Sequence, residues 1–210
     1  MREPSREEML AALEKRQGAA AVRKLQAATV AVCGLGGLGS NIAISLARAG
    51  VGKLILVDFD CVDVTNLHRQ QYKASQVGLP KPEALLANLK EIAPYTEYET
   101  HFEKVTAESV SRQVAKAQIV CEAFDNAEAK AMLVNAVLET MPEKYLVAAS
   151  GMAGYDGGNS ITTRKITKHF YLCGDGKSDV NDGIGLVAPR VMLCAAHQAL
   201  TAIRLILGLE

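Results

Sequence analysis

Residues 29–39 read Thr-Val-Ala-Val-Cys-Gly-Leu-Gly-Gly-Leu-Gly, an apolar run followed directly by a glycine-rich turn. Gly34, Gly36 and Gly39 match the pattern G-x-G-x-x-G, and residues 40–49 that follow have a helix-forming composition. Between a strand and a helix, such glycines permit a tight turn and the close approach of a phosphate, while the helix N-terminus supplies N–H donors. The stretch therefore predicts a nucleotide-binding turn.

A second apolar strand, residues 53–57, ends in Asp58 and completes a βαβ unit. Such a unit predicts a parallel sheet with a right-handed crossover. At the end of that strand, the Asp58 carboxylate can accept hydrogen bonds from ribose hydroxyls. The alternation continues, with predicted helices at 81–92, 107–115 and 127–140 and predicted strands at 95–102, 117–121 and 145–149.

The two ends of the chain depart from this alternation. Residues 6–25 have a loose helical spacing broken at Gly18, which predicts two short helices. Residues 159–164 and 169–172 predict an antiparallel strand pair. The apolar residues 189–207 predict a last helix that packs in a core or against a second subunit.

These elements predict an α/β fold, a Rossmann-like, doubly wound and mostly parallel sheet with an antiparallel C-terminal extension. We expect one nucleotide-binding domain over residues 1–210, because the length is too short for two ordinary catalytic domains. Within it we expect N-terminal helices at 1–26 and a flexible loop at 173–186, which is rich in glycine and aspartate.

The composition limits the class of partner. Acidic and basic residues balance to a formal net charge of zero, which indicates neither disorder nor a nucleic-acid-binding surface. No apolar run approaches the roughly 20 residues of a membrane span, and residues 1–17 are polar and charged, unlike a signal peptide. We therefore expect no nucleic-acid or membrane partner and a cytoplasmic location.

The five cysteines are odd in number, widely spaced and never arranged as C-x-x-C. This pattern argues against a disulfide framework and against a tetrahedral zinc site, so we expect no zinc. Cys33, Cys121 and Cys194 lie in or beside apolar segments and are predicted to be small buried hydrophobes. Cys173 precedes the glycine-rich loop, and both a structural role and an exposed reactive thiol are open for it.

The connection at residues 59–79 is longer than most in compact domains, which favours a functional role. It is dense in carboxylate, amide and guanidinium groups, among them Asp60, Asn66 and Arg69. Phosphate chemistry needs cations and metal-binding carboxylates, whereas hydride transfer needs chiefly an apolar slot for the nicotinamide. The loop favours phosphate chemistry, and an NAD-binding oxidoreductase is the alternative from another class.

The motifs, in their order and spacing, resemble the ThiF/MoeB group, the bacterial relatives of ubiquitin-activating enzymes. The resemblance implies an ATP-dependent adenylyltransferase that activates the C-terminal glycine carboxylate of a small ubiquitin-like sulfur carrier ending in Gly-Gly. The length is most similar to a short ThiF type, which implies thiamine thiazole biosynthesis. The matching segments are 34–40, 58–60, 66–70, 78–81, 124–126 and 185–189.

The resemblance also implies roles for single residues. Asp125 matches a magnesium-binding aspartate, and one carboxylate with phosphate oxygens is a usual Mg²⁺ ligand set. Arg69 and Lys81 match the cations that contact the phosphates, and Asn66 matches a polar residue beside them. Arg16 matches an arginine that reaches across a homodimer to the partner's ATP. The implied nucleotide-binding set is Gly34, Gly36, Gly37, Gly39, Asp58 and Asp60.

Structural interpretations of the same residues stay open. Lys81 and Arg16 could be solvated helix charges, and Asp125 could be a helix N-cap. Lys130 stands where the family has an arginine, which keeps the charge but loses the bidentate fork. For the whole chain, activation of another carboxylate and a catalytically idle nucleotide-binding subunit are the remaining alternatives. Adenylation itself needs Mg²⁺ and cations but no enzyme nucleophile, so we expect it to require no cysteine.

Overall fold

A seven-stranded sheet organises the computed structural model, which describes residues 2–210. The strands are β1 (Thr29–Cys33), β2 (Lys53–Asp58), β3 (Glu97–Phe102), β4 (Ile119–Glu122), β5 (Tyr145–Ala149), β6 (Thr162–Lys165) and β7 (Phe170–Gly174). The helices are α1 (Arg6–Gln17), α2 (Ala19–Gln26), α3 (Gly37–Ala49), α4 (Lys81–Ile92), α5 (Val110–Gln113), α6 (Ala127–Thr140) and α7 (Ala188–Leu207).

The strand order is β3-β2-β1-β4-β5-β7-β6, and every pair is parallel except β6 with β7. The predicted fold class is confirmed, including the antiparallel pair near the C-terminus. From β1 the chain first builds outward to β2 and β3, and it then continues on the other side of β1 with β4. This reversal is a topological switch point, where open α/β sheets bind ligands beyond the carboxyl ends of their strands.

Apolar cores cover both faces of the sheet. On β1, Val30 and Val32 belong to the core that includes α3, α4 and α7, whereas Ala31 and Cys33 belong to the core that includes α5 and α6. Successive side chains of a strand point to opposite faces, so a strand covered on both sides is apolar at every position. This explains the unbroken apolar run that precedes the glycine turn.

Two predicted elements begin three residues later in the structure than expected. The helix expected at 107–115 is only α5, because hydroxyl groups occupy the backbone before it: Thr106 N donates to Ser109 Oγ, and Ser109 N donates to Thr106 Oγ1. The antiparallel pair expected at 159–164 and 169–172 begins later, at β6, because a 3-10 turn occupies Gly158–Ser160.

Among the described residues, α7 is the one helix long and apolar enough to cross a membrane by length and composition. Half of its apolar window is buried inside the protein, and α7 packs against α3, β5 and β7. Core helices commonly have these properties, so the finding is weak evidence for a membrane span.

Candidate nucleotide-binding site

The glycines of the turn between β1 and α3 are needed for different structural reasons. Gly34 has a φ of +89°, and a Cβ there would lie 2.7 Å from the carbonyl oxygen of Ala123. A Cβ on Gly39 would overlap the carbonyl oxygen of Gly34. A Cβ on Gly36 would meet only Gln70 Nε2, at 3.7 Å. Gly34 and Gly39 therefore serve the turn and the close packing of α3, whereas Gly36 borders open space that a ligand can enter.

The N-terminus of α3 has the features of an anion-binding site. The helix begins at Gly37 after a glycine cap that makes no side-chain hydrogen bond, so its first N–H groups need other acceptors. The helix dipole adds partial positive charge at the same place. The Cγ and Cδ atoms of Arg69 lie 3.6 Å from the position of a Cβ on Gly37, which brings a guanidinium stem beside this helix end.

Asp58, at the end of β2, braces the glycine turn. Its Oδ2 accepts a hydrogen bond from Leu35 N at 2.5 Å, and its Oδ1 accepts one from Asp60 N at 2.8 Å. Burial raises the pKa of Asp58, while these hydrogen bonds and the charge of Lys81 oppose the rise. Because a carboxylate oxygen has two lone pairs, each oxygen retains capacity for a ribose hydroxyl.

Lys81 is the first residue of α4, and it is a buried cation at the carboxyl end of β2. Its Nζ lies 2.9 Å from Asp60 Oδ2, and the side chains are 7% and 49% exposed, respectively. A backbone hydrogen bond from Lys81 N to Asp60 O fixes the same pair of residues. The interpretation of Lys81 as a solvated helix charge is therefore wrong.

The polar loop after β2 is ordered by its own side chains. Asn66 Oδ1 accepts a hydrogen bond from Asp63 N at 3.0 Å. Arg69 Nη1 donates to Thr65 O at 3.0 Å and lies 2.7 Å from His68 Nε2. These contacts place Asn66 and Arg69 in a defined loop beside α3, and their contact with a phosphate stays a prediction.

Two residues that the sequence did not single out also shape this site. Asn41 donates to Gly37 O at 2.7 Å and to Arg69 O at 3.2 Å, and it accepts from Gln71 Nε2 at 2.7 Å. Gln70 is only 8% exposed, and its Oε1 has no hydrogen-bond partner. A buried amide oxygen of this kind marks a place where a water or a ligand donates. The position of Gln70 next to Arg69 in the polar motif was the one sequence feature that could have identified it.

Asp125 lies just beyond the carboxyl end of β4. It is exposed and two residues after Ala123, whose carbonyl group approaches Gly34. The cap of α6 is Asn126, whose Oδ1 accepts from Ala129 N at 2.9 Å, so the N-cap interpretation of Asp125 is wrong. The sheet order thus places this carboxylate near the glycine turn.

The donor set fits magnesium that is held jointly by protein and nucleotide. Within residues 2–210, no three His, Cys, Asp or Glu side chains are grouped so that they could hold a metal ion by themselves. Mg²⁺ is usually bound by one or two carboxylates together with substrate phosphates. The exposed carboxylate of Asp125 can serve as such a single protein ligand.

A buried ion pair between Glu122 and Lys130 supports the turn that carries Asp125. Lys130 Nζ lies 3.1 Å from both carboxylate oxygens of Glu122 and donates to Ala149 O at 3.1 Å. Glu122 Oε1 also accepts from Phe124 N at 2.7 Å. Burial raises the pKa of Glu122, and the charge of Lys130 opposes the rise. The pair therefore fixes the backbone immediately before Asp125.

Arg16 is not part of this arrangement. It lies exposed in the last turn of α1, and its side chain makes no hydrogen bond or ion pair with the other described residues.

Cys173 is 1% exposed and burial raises its pKa, so the interpretation as an exposed reactive thiol is wrong. The predicted burial of three other cysteines is confirmed, namely Cys33, Cys121 and Cys194.

The fold and the glycine turn define a Rossmann-type nucleotide-binding protein. The chain matches the ThiF family over residues 8–210, and it belongs to that family. It is 31% identical to the sulfur carrier protein ThiS adenylyltransferase of Escherichia coli over 193 residues, which cover 90% of this chain and 76% of that protein.

Other relatives are longer. The adenylyltransferase and sulfurtransferase MOCS3 of Aedes aegypti is 31% identical over 202 residues, which cover 88% of this chain and 43% of that protein. The chain thus spans less than half the length of such relatives. Among solved structures, the E. coli tRNA N6-threonylcarbamoyladenosine dehydratase TcdA in complex with ATP has a TM-score of 0.86 at 22% identity, covering 95% of this chain and 94% of that one. This likeness shows the shared fold.

Proposed function

We propose that this chain binds ATP and transfers AMP to the C-terminal glycine carboxylate of a small ubiquitin-like sulfur carrier. The observation that carries the proposal is the uncapped N-terminus of α3 beside the open space at Gly36, with buried Lys81 at the same edge of the sheet. A ThiS-type carrier, and with it a role in thiamine thiazole synthesis, is supported by the similarity to the ThiS adenylyltransferase of E. coli.

In the proposed reaction, a carboxylate oxygen of the carrier attacks the α-phosphorus of ATP and the bond to pyrophosphate breaks. Positioning and charge neutralisation dominate such a step, because nucleophile and electrophile are both anionic. The N–H groups of α3 hold the phosphates, Arg69 and Lys81 offset their charge, and Asn66 stands beside them. Asp125 contributes one ligand to Mg²⁺, which supplies further neutralisation of the phosphates when bound.

The proposal is tested by ATP–pyrophosphate exchange with the sulfur carrier protein ThiS of E. coli. We expect exchange that requires Mg²⁺ and that is lost when the last glycine of the carrier is deleted. Saturable NAD binding without ATP binding would instead indicate an oxidoreductase. Nucleotide binding without exchange would indicate an idle subunit, and exchange with a different carboxylate would reassign the substrate.

Replacement of Asp58 by alanine is expected to weaken ATP binding about 10- to 100-fold, since hydrogen bonds to a charged group contribute about 1.5–3 kcal/mol. Isothermal titration calorimetry measures the change. Because Asp58 also braces Leu35 N, thermal unfolding of the variant is measured alongside. An unchanged affinity in the folded variant would refute the assignment of Asp58 to the ribose.

We further propose that the protein is a homodimer in which Arg16 acts in the partner's site. Two features support this proposal. No residue of α1 is buried, so this helix is available for contact with another subunit. On α7, Met192, Ala196 and Leu200 are exposed and spaced four residues apart, which forms an apolar stripe suited to an isologous interface.

Mixing Arg16→Ala subunits with Asp125→Ala subunits, each inactive alone, is expected to restore about a quarter of the wild-type activity. Random exchange makes half of the dimers mixed, and each mixed dimer has one site with neither substitution. Pyrophosphate exchange measures the recovery, and sedimentation velocity verifies the dimer for each variant. A monomer at the working concentration, or no recovery from intact dimers, would contradict the proposal.

A further inference from the structure

Arg190, in the first turn of α7, is a buried cation whose whole guanidinium group is engaged. Its side chain is 4% exposed, and neither the sequence patterns nor the family resemblance assigned it a role. Nε donates to Ala153 O at 2.9 Å, and Nη2 donates to Asp175 Oδ2 at 2.5 Å. Nη1 donates to Asp156 O at 2.8 Å, Gly157 O at 3.4 Å and Ser160 Oγ at 3.1 Å.

These partners belong to two loops that are joined at several further points. Loop A is residues 150–161, after β5, and loop B is residues 175–187, after β7. Asp175 N donates to Gly151 O at 2.9 Å, and Ala153 N donates to Ser178 Oγ at 3.0 Å. The approach is so close that a Cβ on Gly151 would overlap Asp175 Oδ1. The two loops therefore form one hydrogen-bonded unit around Arg190.

Asp175 is built to stay ionised opposite Arg190. Burial raises its pKa, but hydrogen bonds from the backbone of Ser178 and Lys177 and from the side chains of Ser178 and Arg190 bring the pKa down to about 2. An ionised partner compensates the buried guanidinium, whose remaining donors are then directed to backbone carbonyls of loop A. Such carbonyls have no strand ladder to satisfy them, so the planar fork of arginine specifies the shape of the loop.

The location of the unit connects it to the site. Because β5 and β7 run parallel to β4 and β1, their carboxyl ends meet the same edge as the glycine turn. Arg190 adjoins Val191, whose Cγ1 lies 3.0 Å from the position of a Cβ on Gly37. Under the proposed function, the ribose binds at Asp58, so the nucleoside lies on the β2 side of the switch point. The carboxylate substrate then approaches the nucleotide from the side of β4, β5 and β7, and loop A borders that side.

We infer that Arg190 is a positioning residue, which with Asp175 holds loop A in the shape that admits the carboxylate substrate to the nucleotide. This inference rests on the proposed function. Tyr155, on loop A, is 80% exposed and provides a side chain through which the outer surface of the loop can be probed without disturbing the core.

The test compares Arg190→Lys with Arg204→Lys, the same change at the exposed far end of α7. Lysine keeps the charge at position 190 but cannot reach all of the carbonyl groups at once. We expect the KM for E. coli ThiS to rise about tenfold in Arg190→Lys, with kcat and the Kd for ATP changed less than about twofold. Amide hydrogen exchange should accelerate in loops A and B alone, and Arg204→Lys should resemble the wild type.

A double-mutant cycle with Tyr155→Ala separates loop position from general stability. If Arg190 acts through loop A, Tyr155→Ala should raise the KM for the carrier less in the Arg190→Lys protein than in the wild type. Equal effects of Tyr155→Ala in both backgrounds, an unchanged carrier KM, or faster exchange throughout the chain would overturn the inference. Absence of carrier-dependent pyrophosphate exchange in the wild type would instead refute the proposed function. In that case, faster amide hydrogen exchange confined to loops A and B in Arg190→Lys would still show that Arg190 holds the two loops together.

Discussion

Replacement of Lys130 by methionine is expected to lower the free energy of unfolding by about 3–5 kcal/mol, the usual cost of removing one partner of a buried ion pair. Methionine keeps most of the apolar stem but removes the ammonium group, so the Glu122 carboxylate loses its counter-charge in a fully buried position. Because 25% of the Lys130 side chain is exposed, water can reach part of the site and the lower half of this range is expected. Urea unfolding near neutral pH measures the loss.

The loss of stability in Lys130→Met is expected to shrink as the pH is lowered. Burial raises the pKa of Glu122 in the folded state, and removal of Lys130 raises it further. Between the pKa of the unfolded chain and this higher value, the folded state binds more protons than the unfolded state. Stability therefore rises as the pH falls through the folded-state pKa.

Two further variants define the origin of this loss. Adding Glu122→Gln to Lys130→Met removes the uncompensated charge and should recover part of the stability. Lys116→Met breaks an ion pair with Glu99 at a lysine that is 67% exposed, and it should cost no more than about 1 kcal/mol. A similar loss in Lys116→Met, or a loss in Lys130→Met that does not depend on pH, would show that the buried charge is not the cause.

Replacement of Lys81 by methionine is expected to lower kcat for pyrophosphate exchange by about 10²–10³-fold, the typical effect of removing one preorganised charge donor from an active site. Lys81 is fixed in place by burial and by Asp60, so it needs little reorganisation when negative charge develops nearby. The side chain of Asp60 is half-exposed and stays hydrated without its partner. The variant should therefore fold, which circular dichroism and thermal unfolding verify.

Lys73→Met is the matched control, because Lys73 lies nearby in the sequence but is exposed and paired with the exposed Glu91. It should keep wild-type kcat. If Lys81→Met also retains most of the activity, Lys81 serves only as the partner of Asp60, and the assignment of this cation to the phosphates is wrong.

Several elements were predicted with the bounds that the structure has. The bounds of β1 and α4 agree with the structure, since each has a local signal: an apolar run before glycines for β1 and prolines at the helix start for α4. The length of α5 was wrong because two hydroxyl side chains compete locally for the backbone. A pattern of apolar positions does not register that competition.

Buried polar groups were even less predictable from the sequence than the bounds of the elements. Glu122 ends an apolar strand and Lys130 is the fourth residue of the next helix, and only the packing of α6 against the sheet makes them a buried pair. The unpartnered amide of Gln70 likewise has no sequence signature beyond its place in a polar motif. The burial of the ion pair and of the Gln70 amide depends on which helices and loops cover them in the folded chain.

By itself, the sequence determined the α/β alternation, the nucleotide-binding turn and the family resemblance, because periodicity and turn chemistry are local properties of the chain. Only the tertiary structure decided that Lys81 is buried beside Asp60, that Cys173 is enclosed, and that Arg190 joins two loops of the C-terminal half. Exposure and charge pairing depend on contacts between residues far apart in sequence. Their energies follow from desolvation, which no local pattern measures.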